Sequence, residues 1–328
     1  MEKIAIIFTG LVKIDKNLVG TAVIYRQIAE IFQRQGYRVK MVVPELSFDN
    51  NLGVEYYRYQ DKNNRLLIKQ ADVVIFGAYP PTAPLLEAYR QKKIIATYLW
   101  SIAPIGSLEF KDYKSPAEQA KLHRFITASY NLSLLLSDKI FCRDEGVRKL
   151  VLGSLISLGR VNLDNYQKDS GLHNLVEAAP FGVDSQKLPK IKGGYWQKYA
   201  GIKPGDFILV WNGGIWNWND GETLVRAMSL LKKYRIKLVF QGFKHPEPGQ
   251  KSSVEAEKTL ALAERLRLIN KNVFFIDDWV PYNERYHFLG NSDAGIVCSP
   301  DIPEANLFFK TRVYDYLWAE LPVILGDC

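Results

Sequence analysis

Short β-branched and aromatic runs alternate along this chain with longer stretches whose apolar residues recur every three or four positions. The runs at 4–8, 39–43, 54–57, 73–76, 94–98 and 139–142 predict strands. Between them, 21–35 places Ile24, Ile28, Ile31 and Phe32 on one helical face, and 116–136 reads as a second helix. A polar, loop-rich stretch at 160–205 interrupts the rhythm, which then restarts. Strands are predicted at 207–211, 237–241, 273–276, 294–298 and 323–325, with helices at 221–234, 252–266, 282–289 and 309–319. Strand, helix, strand in repetition means parallel sheets with crossover helices, so the expected class is α/β, with two doubly wound Rossmann-like domains facing a central cleft. The expected boundaries are 1–180 for the first domain, 181–205 for a hinge or linker, and 206–328 for the second. The last predicted strand is followed by only three residues and no covering helix, so the second domain is expected to be incomplete; a compact variant is the alternative.

The length of 328 residues agrees with two domains, and 47% hydrophobic with 24% charged residues excludes a disordered or collagen-like chain. No apolar run reaches the roughly 18–20 residues that cross a bilayer. The acid, the base and the short apolar run of MEKIAIIFTG predict a first strand and not a signal peptide. Cys142, Cys298 and Cys328 are odd in number and far apart, which suits a reducing, cytoplasmic setting. Lys and Arg exceed Asp and Glu by 43 to 35, and by 24 to 18 within residues 1–180. A basic first half could attract an anionic membrane face or nucleic acid. No run of bases exceeds two, so scattered surface lysines explain it as well, and nucleic acid is not expected as a partner.

Four segments could carry chemistry. In FILVWNGGIWNWNDGETLVRAMSLL (207–231) a strand ends at Trp211, Gly213 and Gly214 open the chain, and Asp220 is an expected N-cap. A glycine pair at a strand end lets backbone N–H groups approach a phosphate, or it makes a tight turn and nothing more. Trp211, Trp216 and Trp218 crowd this loop more than core filling requires. In SPDIPEANLFFKTRVYDYLWAELPVIL (299–325), Lys310 and Arg312 stand where a helix begins, a poor place for cations unless an anion binds there. A solvated helix start is the alternative. Thr311, Asp315, Tyr316 and, in the preceding loop, Glu304 accompany them. FQGFKHPEP (240–248) carries His245, a surface residue or a proton carrier. In FFIDDWVPYNERYHFL (274–289) the loop of Trp279, Val280 and Pro281 could meet a flat base or simply connect.

Taken together, WNGGIWNWND, GFKHPEP, DWVPYNER and TRVYDYLWAELPVI resemble the C-terminal half of a GT-B glycosyltransferase of family 4, the "glycosyl transferases group 1" kind. In one of its subgroups WGGGIWNW, GxxHP, WVPYxER and RTRVLDYLWAGLPVV recur. DKIFCRDEGVRKLVLGSLISLGRVN (138–162) resembles the unit before the linker, and APFGVD (179–184) the hinge strand, so the likeness covers most of 70–328.

The resemblance implies a nucleotide-sugar donor bound mainly by the second domain and an acceptor on the first. That acceptor would be a sugar, a lipid-linked molecule or another small molecule. Gly213 and Gly214 would face the diphosphate, with Trp216 and Trp218 beside it, while Lys310, Thr311 and Arg312 would neutralise it. Asp315 stands where relatives place a Glu that holds the ribose, Trp279 and Val280 would lie against the base, and Glu304 would be the acid near the transferred sugar. The Arg and Lys that many relatives carry after the glycine loop are replaced here by Trp216, Asn217 and Trp218. The family works with retention and without a metal or other cofactor, and the sequence has neither an Asp-x-Asp pair nor a His/Cys cluster of ligand spacing. Glu109, which follows the strand at 94–98, His123 and His245 are the candidate bases. A non-catalytic nucleotide-sugar-binding protein is the alternative reading.

Overall fold

The first sheet is built from β1 (Lys3–Phe8), β2 (Tyr37–Val43), β3 (Glu55–Arg58), β4 (Val73–Phe76), β5 (Ile94–Leu99), β6 (Lys139–Cys142) and β7 (Val176–Ala178). The second is built from β8 (Phe207–Asn212), β9 (Ile236–Gln241), β10 (Val273–Ile276), β11 (Ala294–Val297) and β12 (Val323–Leu325). The structure is a computed structural model that describes residues 2–10, 12–14, 20–46, 53–59, 63–110, 115–183, 187–243, 252–307 and 310–326. One compact unit consists mainly of Met1–Leu108 and Ser115–Phe181, the other mainly of Gly182–Asn306 and Lys310–Cys328.

Both sheets are parallel throughout. Their orders are β3-β2-β1-β4-β5-β6-β7 and β10-β9-β8-β11-β12, so each is doubly wound about its first strand. The switch points lie between β1 and β4 and between β8 and β11. Strands buried on both faces read as unbroken apolar runs, which is why Ala5–Phe8 and Ile208–Trp211 are almost wholly buried. The predicted strands are present within one or two residues of their expected ends.

Several helices differ from expectation. The helix expected at 221–234 ends at Leu230, and the one at 282–289 is a 3-10 turn, Tyr282–Glu284, followed by a single α-turn, Tyr286–Leu289. The helix expected at 309–319 runs from Thr311 to Trp318. The expected pause at 160–205 contains the helix Leu163–Lys168 and β7, and the strand there precedes APFGVD instead of lying within it. Trp196 and Ile202 from this stretch are buried with Ile208, Val210 and Phe274 in the second unit's core.

One device fixes register in both sheets. Asp72, Asp138 and Asp293 each stand one residue before a strand, and each carboxylate accepts the N–H at or beside the start of the neighbouring strand. The bonds are Ile4 N–H at 2.7 Å, Ile95 N–H at 2.8 Å and Ile208 N–H at 2.7 Å. The same aspartates donate their own N–H to the carbonyls of Ile4, Ile95 and Ile208. Asp293→Ala strips the acceptor from a partly buried donor that starts β8. It is expected to cost about 1–3 kcal/mol, read by urea unfolding.

Candidate nucleotide-sugar site in the second unit

In open α/β sheets ligands bind outside the carboxyl ends of the strands, at the switch point. The two switch points here are filled differently. In the first unit a Cβ on Gly77, just past β4, would fall 2.1 Å from the Tyr25 hydroxyl and 2.3 Å from the Trp100 ring. Side chains therefore occupy that crevice. In the second unit Gly213 follows β8 with φ +89°, a conformation suited to glycine, and a Cβ there would meet nothing within 4 Å. Its N–H is held by the Gln241 carbonyl at 2.8 Å, so the open side is presented by a fixed backbone.

Arg312 closes on this loop from the helix Thr311–Trp318. Its Nη2 donates to the Gly214 carbonyl at 3.0 Å, and its guanidinium carbon lies 4.0 Å from the centre of the buried Trp211 ring. Its Nη1 is buried and has no hydrogen-bond partner among the described residues. No carboxylate among them bonds to it, although Asp315 favours its charge from nearby. Asp315, one turn on, is committed elsewhere: Oδ1 accepts Arg285 Nε at 2.8 Å and Oδ2 accepts Asn212 Nδ2 at 2.8 Å. Burial pulls the Arg312 guanidinium down to about 10, which leaves it charged at neutral pH. Arg312 is half-buried, and the nearby Asp315 carboxylate offsets part of what burial costs its charge, so the feature left over is the Nη1 group.

The helix is held by its own side chains. The Tyr316 hydroxyl accepts the Asn212 N–H at 2.9 Å and donates to the Val210 carbonyl at 2.9 Å. Burial pushes that phenol up to about 12, so it remains a donor. Arg285 sits between the rings of Tyr282 and Trp318, at 3.7 and 4.0 Å from their centres.

The tryptophans of the glycine loop divide. Trp211 is fully buried and belongs to the core with Phe240 and Leu238, so the reading that set it among the loop tryptophans is corrected. Trp216 and Trp218 are half-buried and stacked, with centroids 5.9 Å apart and an interplanar angle of 20°. Asn219 fixes this turn: its Oδ1 accepts the Trp216 N–H at 2.8 Å and its N–H returns to the Trp216 carbonyl at 2.9 Å. Asp220 caps the helix Gly221–Leu230 through the Thr223 N–H at 2.9 Å, as its sequence position predicts.

The remaining candidates lie as follows. Trp279 packs over Gly242, whose added Cβ would be 3.3 Å from the indole, while Val280 packs against the cluster around Trp196 and Phe288. Lys310 occupies the N-cap position, and its backbone carbonyl accepts the Val313 N–H at 3.0 Å. Glu304 is buried in the short helix Pro303–Leu307. Glu109 ends the turn Ser107–Glu109 in a half-buried position. His123 Nδ1 lies 2.7 Å from Ser107 Oγ, which also reaches the Pro104 carbonyl at 2.8 Å. His245 lies outside the described residues. Among the described residues no group of three or more His, Cys, Asp or Glu could hold a metal ion. No helix among them is long and apolar enough to cross a membrane.

Two further polar atoms here escaped the sequence reading. Gln241 Oε1, at the end of β9, and Ser299 Oγ, just past β11, are buried without partners among the described residues. The one available signal was a glutamine closing the otherwise apolar LVFQ.

No protein-family model matches the chain, and no curated protein matches it. Solved structures do. A glycosyltransferase from Rickettsia africae superposes with a TM-score of 0.59 at 16% identity, over 99% of this chain and 79% of that one. WaaG, a glycosyltransferase involved in lipopolysaccharide biosynthesis, gives 0.58 at 13%, over 98% and 80%. An α,α-trehalose 6-phosphate synthase from Burkholderia multivorans gives 0.56 at 14%, over 99% and 83%. The fold is that of the GT-B glycosyltransferases. Identities this low carry the architecture and leave activity to the site itself.

Proposed function

We propose that this chain transfers a glycosyl group from a nucleotide-sugar donor to an acceptor, without a metal ion and with retention at the anomeric carbon. One observation carries the reading: Arg312, whose buried Nη1 has no partner among the described residues, meets the open glycine loop at the switch point of the second sheet. Glycosyl transfer breaks the bond between the sugar's anomeric carbon and the diphosphate while the acceptor oxygen bonds to that carbon. Negative charge grows on the departing diphosphate, and a fixed donor aimed there is worth about 3–4 kcal/mol. Arg312 Nη1, without a partner among the described residues, can meet that charge, and Gly213, whose N–H is held by Gln241, leaves room for it by having no side chain. The motif likeness to family 4 and the fold support this choice among ligands that carry phosphate.

The test is calorimetry with the common nucleoside diphosphates in the presence of a chelator, followed by hydrolysis or transfer assays with the matching nucleotide-sugar. Binding of one nucleoside diphosphate in chelator, with turnover of its sugar, is the expected result. Binding that requires a divalent cation contradicts the metal-free mechanism, and no binding of any contradicts the reading.

A further inference from the structure

Gln241 is 2% exposed and closes β9 in register with Asn212, the last residue of β8. Its Nε2 donates to the Asp278 carbonyl, which fixes the orientation of the amide. Its Oε1 is thereby turned to a position where no donor is supplied by the described residues. A buried amide oxygen left unpaired costs about 1–3 kcal/mol, an expense a fold carries where a ligand completes the bond.

Its surroundings say which part of a ligand. The Gln241 backbone carbonyl holds Gly213 N–H at 2.8 Å, and Gly214, the next residue, is held by Arg312. Adjacent strands are about 4.8 Å apart, so Gln241 stands roughly one strand from the anion position. On its other side Gly242, at φ +76°, has the flat indole of Trp279 against it. One side of Gln241 thus has a cation and the other an aromatic face.

We propose that Gln241 Oε1 reads the nucleoside of the donor, accepting a hydrogen bond from a base-edge N–H or a ribose hydroxyl of a nucleoside diphosphate. The inference rests on the nucleotide-sugar reading and adds to it the residue that discriminates the nucleoside. The oxygen is closed to bulk water in the free protein, so binding is coupled to a local opening.

The experiment is calorimetry on the full chain with five nucleoside diphosphates (uridine, thymidine, cytidine, adenosine, guanosine) and inorganic pyrophosphate. Gln241→Met keeps volume and removes the acceptor. It is expected to weaken the preferred nucleoside diphosphate by about 10- to 100-fold and to leave pyrophosphate unchanged. Unchanged affinity for the preferred nucleotide overturns the proposal, as does an equal loss for pyrophosphate. Should Gln241→Met not fold, wild-type protein decides. The preferred nucleotide methylated at its base-edge N–H, or its 2′- or 3′-deoxy form, must lose a similar factor, and which one does so names the group read. If all bind as tightly as the parent, the proposal fails while the donor reading stands. If no nucleoside diphosphate binds wild type, both fail.

Discussion

Arg312→Met is expected to weaken nucleoside-diphosphate binding by about 2–4 kcal/mol while leaving the free protein as stable as before or more so. The two signs come from one fact. In the free protein the guanidinium packs on Trp211 with no carboxylate bonded to it among the described residues, and its buried Nη1 is unsatisfied. A methionine keeps the apolar contact with the indole and removes a partly desolvated charge. The Gly214 carbonyl that loses Arg312 still lies 3.4 Å from Trp211 Nε1, so it is not abandoned. With a diphosphate bound, the same substitution deletes a charge-assisted hydrogen bond in a dry site. A residue that served only to hold the loop would show the opposite, with stability falling and affinity following it. Thermal melts with and without nucleotide separate the two.

Gly295→Ala is expected to cost about 3 kcal/mol of stability in the second unit and to reduce donor binding with it. A Cβ on Gly295 in β11 would lie 2.3 Å from the Tyr316 ring, which is wholly buried and tied through its hydroxyl to Asn212 and Val210. The ring cannot yield without breaking those bonds, and the helix that bears it also bears Arg312 and Asp315. Relief therefore moves the cation away from Gly214. Urea unfolding followed at the tryptophans reads the first effect, and nucleotide titration at low urea reads the second.

Strands were legible in the sequence because parallel strands buried on both faces are unbroken apolar runs. That same property hid which tryptophan belongs to the core. Ile208, Leu209, Val210 and Trp211 are all buried, so no alternation marks where the strand ends and the loop tryptophans begin. The proposed anion site was half legible: glycines at a strand end and cations at a helix start suggested it. What joins them, the bond from Arg312 to Gly214, is made across 98 residues and has no local signature. The commitment of Asp315 to Asn212 and Arg285 was invisible for the same reason. The register aspartates are single residues whose partners lie 43 to 85 positions away, beyond any window of periodicity.

Every expectation of nucleotide binding above requires a diphosphate between the Gly213–Gly214 loop and Arg312. A crystal structure of this chain with its preferred nucleoside diphosphate decides whether it sits there. A phosphate oxygen is expected about 2.7–2.9 Å from Arg312 Nη1, with the diphosphate against the open side of Gly213. Phosphates bound elsewhere, with Nη1 still unpaired, would contradict it.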